Sequence, residues 1–176
     1  MSGDSAFPAS TRPDVAMDWP GLLKLLHVAI AFALVSGLVG RWFLLTRAAA
    51  SDDVEEAFRL SEAASPFELT VQVAGTAILP AGLLTAWIQG YEWLGLTTGW
   101  MLVSTILVVS IIPLVPLIFI PRGRVFAAAM ATARDRGTVT PELQAAWHDP
   151  AVSFARRYEL AAVSIVIVLM VLKPFA

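Results

Sequence analysis

The fold is decided by residues 22–45, LLKLLHVAIAFALVSGLVGRWFLL, where Lys24, His27 and Arg41 are the strongly polar side chains. A helix that crosses a bilayer needs about 20 mainly apolar residues, because its backbone N–H and C=O groups must all be paired internally. The stretch meets this requirement and lacks the period-two alternation of membrane β-strands. It therefore predicts a membrane-spanning α-helix.

Four segments of this kind occur in the chain, so we expect an all-α membrane protein built as a four-transmembrane-helix bundle. Of the 176 residues, 57% are hydrophobic and only 15% are charged, whereas soluble domains carry about 25% charged residues. Residues 1–18 are rich in Ser and Pro, and we expect a flexible tail there, followed by a single domain at 19–176. The spans are expected at about residues 20–45, 67–90, 94–121 and 156–175.

Composition also excludes several classes of function. The chain has no cysteine, which rules out disulfides, thiolate metal sites and a cysteine nucleophile. Its two histidines cannot form an all-histidine metal cluster within one chain. The net charge of −2 gives no indication of nucleic-acid binding.

The distribution of basic residues predicts the orientation. Nine of the twelve Lys and Arg residues lie in the two segments that join spans one and two and spans three and four. The positive-inside rule then places both termini outside and both long loops in the cytoplasm, in a multi-pass protein of the bacterial inner membrane.

We expect short amphipathic helices in the two cytoplasmic loops. The predicted capping residues are Ser51 or Asp52 for the first loop helix and Ser65, in the capping-box sequence SPFE, for span two. In the second loop, Gly137 is expected to end a helix, and Thr140 and Asp149 to begin the next two.

Polar residues inside the spans are the candidate site residues. A turn of 3.6 residues places His27 and Arg41 on one stripe of the first helix, close to Lys24. We expect structural roles for Lys24 and Arg41, with Arg41 paired to Glu159 or Glu68. His27 is the candidate metal or cofactor ligand, with Met101 and Met170 at similar depth, because His and Met together bind haem iron or copper.

Several segments are similar to a known family. LLKLLHVAIAFALVSGLVGR, ILPAGLLTAW, GWMLVSTILVV and RRYELAAVSIVIVLMVLKPF resemble an uncharacterised bacterial family of four-span integral membrane proteins. More distantly, Lys24-x-x-His27 is similar to the haem-containing four-span protoporphyrinogen oxidases and to copper-resistance D-like membrane proteins. The oxidase resemblance implies that His27 corresponds to a haem ligand, although the further polar residues of those enzymes have no counterpart in the later spans.

These observations leave three functions open. The first is a non-catalytic helical bundle in the lipid bilayer, acting as an accessory subunit of a larger membrane complex or as a homo-oligomer. The second is a haem b or copper protein with a redox role that uses His27 near the outer face. The third is a small-solute transporter.

Overall fold

The computed structural model describes residues 18–174, which form α-helices joined by short turns. The expected tail lies outside this range except for Asp18, whose carboxylate accepts a hydrogen bond from the Gly21 N–H and caps the first helix. The helices are α1 (Trp19–Ala49), α2 (Val54–Ala63), α3 (Ser65–Ile88), α4 (Gly99–Ile111), α5 (Ile120–Arg136), α6 (Pro141–Trp147) and α7 (Pro150–Leu172).

Three helical stretches are long and apolar enough to cross a membrane, and they are Trp19–Ala49, Val54–Ile88 and Gly99–Arg136. Helix α7 has 23 residues, but its first turns carry Arg156, Arg157 and Glu159. The structure thus confirms that residues 18–174 are all-helical, with helices long and apolar enough to span a membrane.

Helices α1 and α3 lie antiparallel and form the most extensive helix–helix contact of the described residues. Two glycines of α1 allow this approach. A Cβ at Gly37 would lie 2.8 Å from Val71 Cγ2, and one at Gly40 would fall on the Phe67 ring. At the other end, Thr85 Oγ1 lies 3.4 Å from the Leu23 carbonyl. The contact therefore runs along about 26 Å of α1.

Helices α4 and α5 belong to one long rod. The segment Val115–Phe119 between them is a π-helix, and it follows Pro113 and contains Pro116. These prolines remove backbone donors, which explains the irregular turn. The rod has 38 residues and measures about 57 Å, so it extends well beyond a hydrocarbon core of about 30 Å.

A left-handed turn precedes this rod. Trp93, Leu94 and Gly95 have φ of 48°, 58° and 81°, a conformation that costs non-glycine residues about 1–2 kcal/mol each. The predicted third span began at residue 94, and the helix begins only at Gly99 because this turn intervenes.

Most predicted helix ends are confirmed, and two are wrong. Gly137 ends α5 with φ of 66°, and the side chains of Thr140 and Asp149 cap α6 and α7. Asp53, rather than Ser51 or Asp52, caps α2. The capping box at Ser65 does not form, because α2 runs almost directly into α3 and the preceding Ala64 is itself helical.

The helix ends form two groups, which lie at opposite ends of the helical assembly. The arginine end holds the carboxyl end of α1, the amino ends of α3 and α7, and α5. The tryptophan end holds the amino ends of α1 and α4 and the carboxyl ends of α3 and α7. Trp19, Trp87, Trp93 and Trp100 lie there.

Candidate functional site

An ion pair joins α1 to α7 inside the helical assembly. Arg41 Nη2 donates a hydrogen bond to Glu159 Oε2 at 2.7 Å, and the two side chains are only 9% and 7% exposed. The Arg41 guanidinium also lies 5.4 Å from the centre of the Phe119 ring, within the range of a cation–π interaction. The structure therefore realises one of the two pairings expected for Arg41, and the bond is buried.

The space around this pair is very small. A cavity of about 10 Å³ lies beside the bond, which is room for one water molecule at most. Its walls are made by Leu38, Arg41, Trp42, Arg156, Glu159 and Leu160. No cofactor or solute fits there, so the chemistry available to Arg41 and Glu159 is to neutralise each other and hold α1 against α7.

A second polar link holds α4 against α7. The Ser110 hydroxyl donates to the Leu107 carbonyl at 2.6 Å and lies 2.5 Å from the Tyr158 hydroxyl. Because Ser110 has one proton and gives it to Leu107, Tyr158 is the donor in the second bond. Tyr158 and Glu159 are adjacent in sequence, so one turn of α7 carries both polar links.

His27 is half-buried between α1 and α3. Its ring lies on Gly82, where an added Cβ would be 3.0 Å from His27 Cε1. Nδ1 is fully buried without a hydrogen-bond partner among the described residues, whereas Nε2 is not fully buried. Since a buried N–H without an acceptor is costly, the neutral ring keeps its proton on Nε2. A metal-binding histidine needs a free coordinating nitrogen and an acceptor for the other N–H.

The two candidate methionines lie near a different turn of α3 from the turn that contacts His27. Met101 is buried with Ala86 and Trp100, and Met170 packs against this cluster from α7. Ala86 is four residues beyond Gly82, or about 6 Å along the helix. The structure therefore brings Met101 and Met170 together and places His27 against another turn.

His27 and the two methionines pack against different turns of α3, and the His–Met ligand pair for haem or copper stays a prediction. Neither the cavity at Arg41 nor the open groove on α3 is lined by His27 or by a methionine. Among residues 18–174, no group of three or more His, Asp or Glu residues is placed to hold a metal ion. Lys24 is exposed at the tryptophan end, three residues before His27.

A small hydrophobic core at the arginine end was missed by the sequence interpretation, which predicted only short amphipathic helices in the cytoplasmic loops. Helices α2, α5 and α6 bury Val54, Ala129, Met130, Ala133 and Leu143 together. Their aromatic neighbours are Phe58, Phe126 and Trp147. These three aromatic residues in otherwise Ala-rich and charged segments were the available signal for this core.

Charged contacts fasten the same three-helix core. Arg134 lies 3.7 Å from the centre of the Phe58 ring and 3.5 Å from Glu55 Oε2, so it joins α5 to α2 by stacking and by charge. Arg122 pairs with Asp149 at 3.0 Å, which ties the start of α5 to the N-cap of α7. Arg122, Arg134 and Asp149 therefore have structural partners within the chain.

The chain matches the model of a family described as predicted integral membrane protein (DUF2269) over residues 21–174, and it belongs to that family. This confirms the expected membership of an uncharacterised family of integral membrane proteins. Neither the curated proteins nor the solved structures include a match to this chain.

Proposed function

We propose that this protein is a non-catalytic accessory subunit of the bacterial inner membrane, a four-helix bundle that packs beside other membrane proteins. The observation that carries this proposal is the closed ion pair. Intramembrane charges usually mark pathways or active sites, but Arg41 and Glu159 bond to each other beside a cavity of about 10 Å³. Charge in this chain is thus used for assembly.

The proposal includes α7 as a fourth span. Its last turns expose apolar side chains, among them Val171 at 73% and Leu172 at 70%, a surface suited to lipid. Its one carboxylate in the helix interior, Glu159, is neutralised by Arg41. Helix α7 also runs antiparallel to α4, since Tyr158 meets Ser110 at one end and Met170 lies in the Met101 cluster at the other.

Four spans place both termini on the outer face, with the arginine end in the cytoplasm. The absence of native cysteine makes thiol labelling a clean test. With a membrane-impermeant maleimide on intact cells, Glu92→Cys and Lys173→Cys are expected to react, and Asp52→Cys only after permeabilisation. Labelling of Lys173→Cys from the same side as Asp52→Cys would instead indicate three spans.

The accessory role is tested in native membranes. Mild extraction at the natural expression level, followed by native electrophoresis and mass spectrometry, is expected to recover the protein with the same membrane partners in repeated preparations. Recovery only as a lone monomer, in several detergents and after cross-linking in the membrane, would contradict the role.

A haem b or copper protein using His27 is the alternative proposal. It is supported by the resemblance of Lys24-x-x-His27 and by the Nδ1 atom of His27, which has no hydrogen-bond partner among the described residues. The test is an absorption spectrum and a copper assay of protein made with haem and copper supplied, compared with His27→Ala. We expect neither a Soret band nor bound copper, and a signal that His27→Ala abolishes would overturn that expectation. A small-solute transporter, supported only by the proline-broken rod, comes third.

A further inference from the structure

Helix α3 carries a polar stripe on a face that no described helix covers. Gln72, Thr76 and Pro80 are spaced four residues apart, and all three are exposed. With Val73 and Ala77 they line an open groove on the helix surface. We call Gln72, Thr76 and Pro80 the α3 stripe.

The α3 stripe lies where lipid offers no hydrogen bonds. Gln72 is seven residues from the start of α3 at Ser65, or about 10 Å along the helix. Its carboxamide forms no hydrogen bond with any residue that the structure describes, although it offers two donors and an acceptor. Polar groups left unpaired in hydrocarbon are costly, so this face needs a protein partner.

Pro80 adds a further unpaired group to the same face. Proline has no N–H, so it cannot donate to the carbonyl of Thr76, the partner that a regular helix would provide. The Thr76 hydroxyl is already used, since it donates to the Gln72 carbonyl at 2.8 Å. The available groups are therefore the Gln72 carboxamide and the Thr76 carbonyl, one turn apart.

We propose that the α3 stripe is the contact between two copies of this chain, related by a two-fold axis along the bilayer normal. Copies inserted with the same topology present Gln72 at the same depth, so the axis brings one carboxamide against the other. A carboxamide is both donor and acceptor, and two of them form a reciprocal pair of hydrogen bonds. Interhelical glutamine pairs are an established means of helix association in membranes.

The surroundings of the α3 stripe suit this arrangement. Ala77 and Thr76 are small enough for close approach of two helices. Leu69 and Val73 are 61% and 62% exposed and flank the polar groups with apolar surface. Because the stripe has no charged side chain, two identical faces meet without repulsion between like charges. A different partner would need its own polar group at this depth, which the chain itself already carries.

Cysteine cross-linking in membranes is the first test. Val73→Cys lies in the groove and leaves Gln72 intact, and the chain has no other cysteine. Oxidation is expected to give a disulfide-linked dimer. Phe32→Cys, at a residue of α1 that is 76% exposed, is the matched control and is expected to stay monomeric. Equal cross-linking of the two variants would overturn the proposal, as would a Val73→Cys adduct with a different protein and no self-dimer.

Self-association of the purified chain in vesicles is the second test, and it is read by energy transfer between labelled copies over a range of protein-to-lipid ratios. Gln72→Leu is expected to raise the dimer dissociation constant about tenfold, since two interhelical hydrogen bonds are lost. Gln89→Leu makes the same change at the exposed end of α3 and is expected to leave the constant unchanged. An unchanged constant for Gln72→Leu would refute the pairing.

This inference rests on the proposed membrane bundle, and the experiments separate the two. The vesicle measurement uses the purified chain alone, so its result does not depend on accessory partners in native membranes. A chain that recovers other subunits from native membranes but remains monomeric in vesicles would refute the dimer and leave the accessory role standing. Circular dichroism of Gln72→Leu, at an exposed position, checks that the fold is retained.

Discussion

Replacing Glu159 by leucine is expected to destabilise the fold by about 3–5 kcal/mol, because it leaves the Arg41 guanidinium buried without a counter-charge. The bond that is lost is short, with 2.7 Å between Arg41 Nη2 and Glu159 Oε2, and the side chains are 9% and 7% exposed. An ion pair about 4 Å apart at an effective dielectric constant of 20 contributes about 4 kcal/mol, which agrees with this range.

The reverse single change is expected to cost less. Arg156 lines the same cavity as Arg41 and Glu159. In Arg41→Leu the carboxylate of Glu159 therefore keeps a nearby cation, whereas in Glu159→Leu the Arg41 guanidinium loses the carboxylate to which it is bonded. The double variant Arg41→Leu/Glu159→Leu should recover most of the stability, because well-packed apolar residues replace buried ion pairs at little cost.

Thermal unfolding of the four proteins in one detergent, arranged as a double-mutant cycle, measures these differences. We expect a coupling free energy of about 3 kcal/mol or more between Arg41 and Glu159, at the upper end of the range for residues in contact, because the double variant recovers most of what Glu159→Leu loses. The charge-swapped protein, Arg41→Glu/Glu159→Arg, should be more stable than Arg41→Glu alone. Additive losses in the cycle, or a Glu159→Leu protein as stable as the parent, would refute the structural role of the pair.

Three further predictions concern packing. Gly37→Ala should cost about 1–3 kcal/mol in unfolding free energy by overpacking, because its Cβ would lie 2.8 Å from Val71 Cγ2 and 3.1 Å from the Phe67 carbonyl oxygen. Gly75→Ala is the control and should be neutral or stabilising in the same thermal melts, since its Cβ would meet only Leu34 at 3.9 Å. Tyr158→Phe removes the hydrogen bond to Ser110 and should cost about 0.6–1 kcal/mol; no change in the melting temperature would show that this hydrogen bond does not stabilise the contact of α4 with α7. Leu143→Ala empties a fully buried position between α5 and α6. It should cost about 2–5 kcal/mol and speed proteolysis at the arginine end, and unaltered proteolysis would contradict a folded core there.

The membrane class and the main helices followed from sequence because their signals are local. Twenty apolar residues must pair their own backbone in lipid, whatever surrounds them. The signals for the end of α5 and for the starts of α6 and α7 are also local. Gly137 terminates α5, and the side chains of Thr140 and Asp149 cap the free backbone N–H groups of α6 and α7. The sequence limited the partner of Arg41 to two carboxylates, because few acidic side chains lie at the same depth of the bundle.

The features that sequence reasoning missed depend on contacts between distant segments. The core of α2, α5 and α6 needs three amphipathic segments to meet, and the hydrophobic pattern of each alone also suits the lipid surface. The left-handed turn at Trp93 and Leu94 contradicts their local preference and persists through its tertiary surroundings. The packing of His27 against Gly82 could not be predicted from sequence either, because glycine has no side chain whose chemistry would indicate a contact.

The π-helical segment Val115–Phe119 sets an angular phase between two halves of the rod. Along an uninterrupted α-helix, Ser104 and Ala129 are 25 steps apart and would point the same way to within about 20°, since each step turns about 100°. One extra residue in a π-turn shifts that phase by about one step. Removing a single residue between 115 and 119 would rotate everything beyond it by about a quarter turn, and Ala129, Met130 and Ala133 would swing away from α2 and α6. The irregular turn therefore lets one helix serve two differently oriented interfaces.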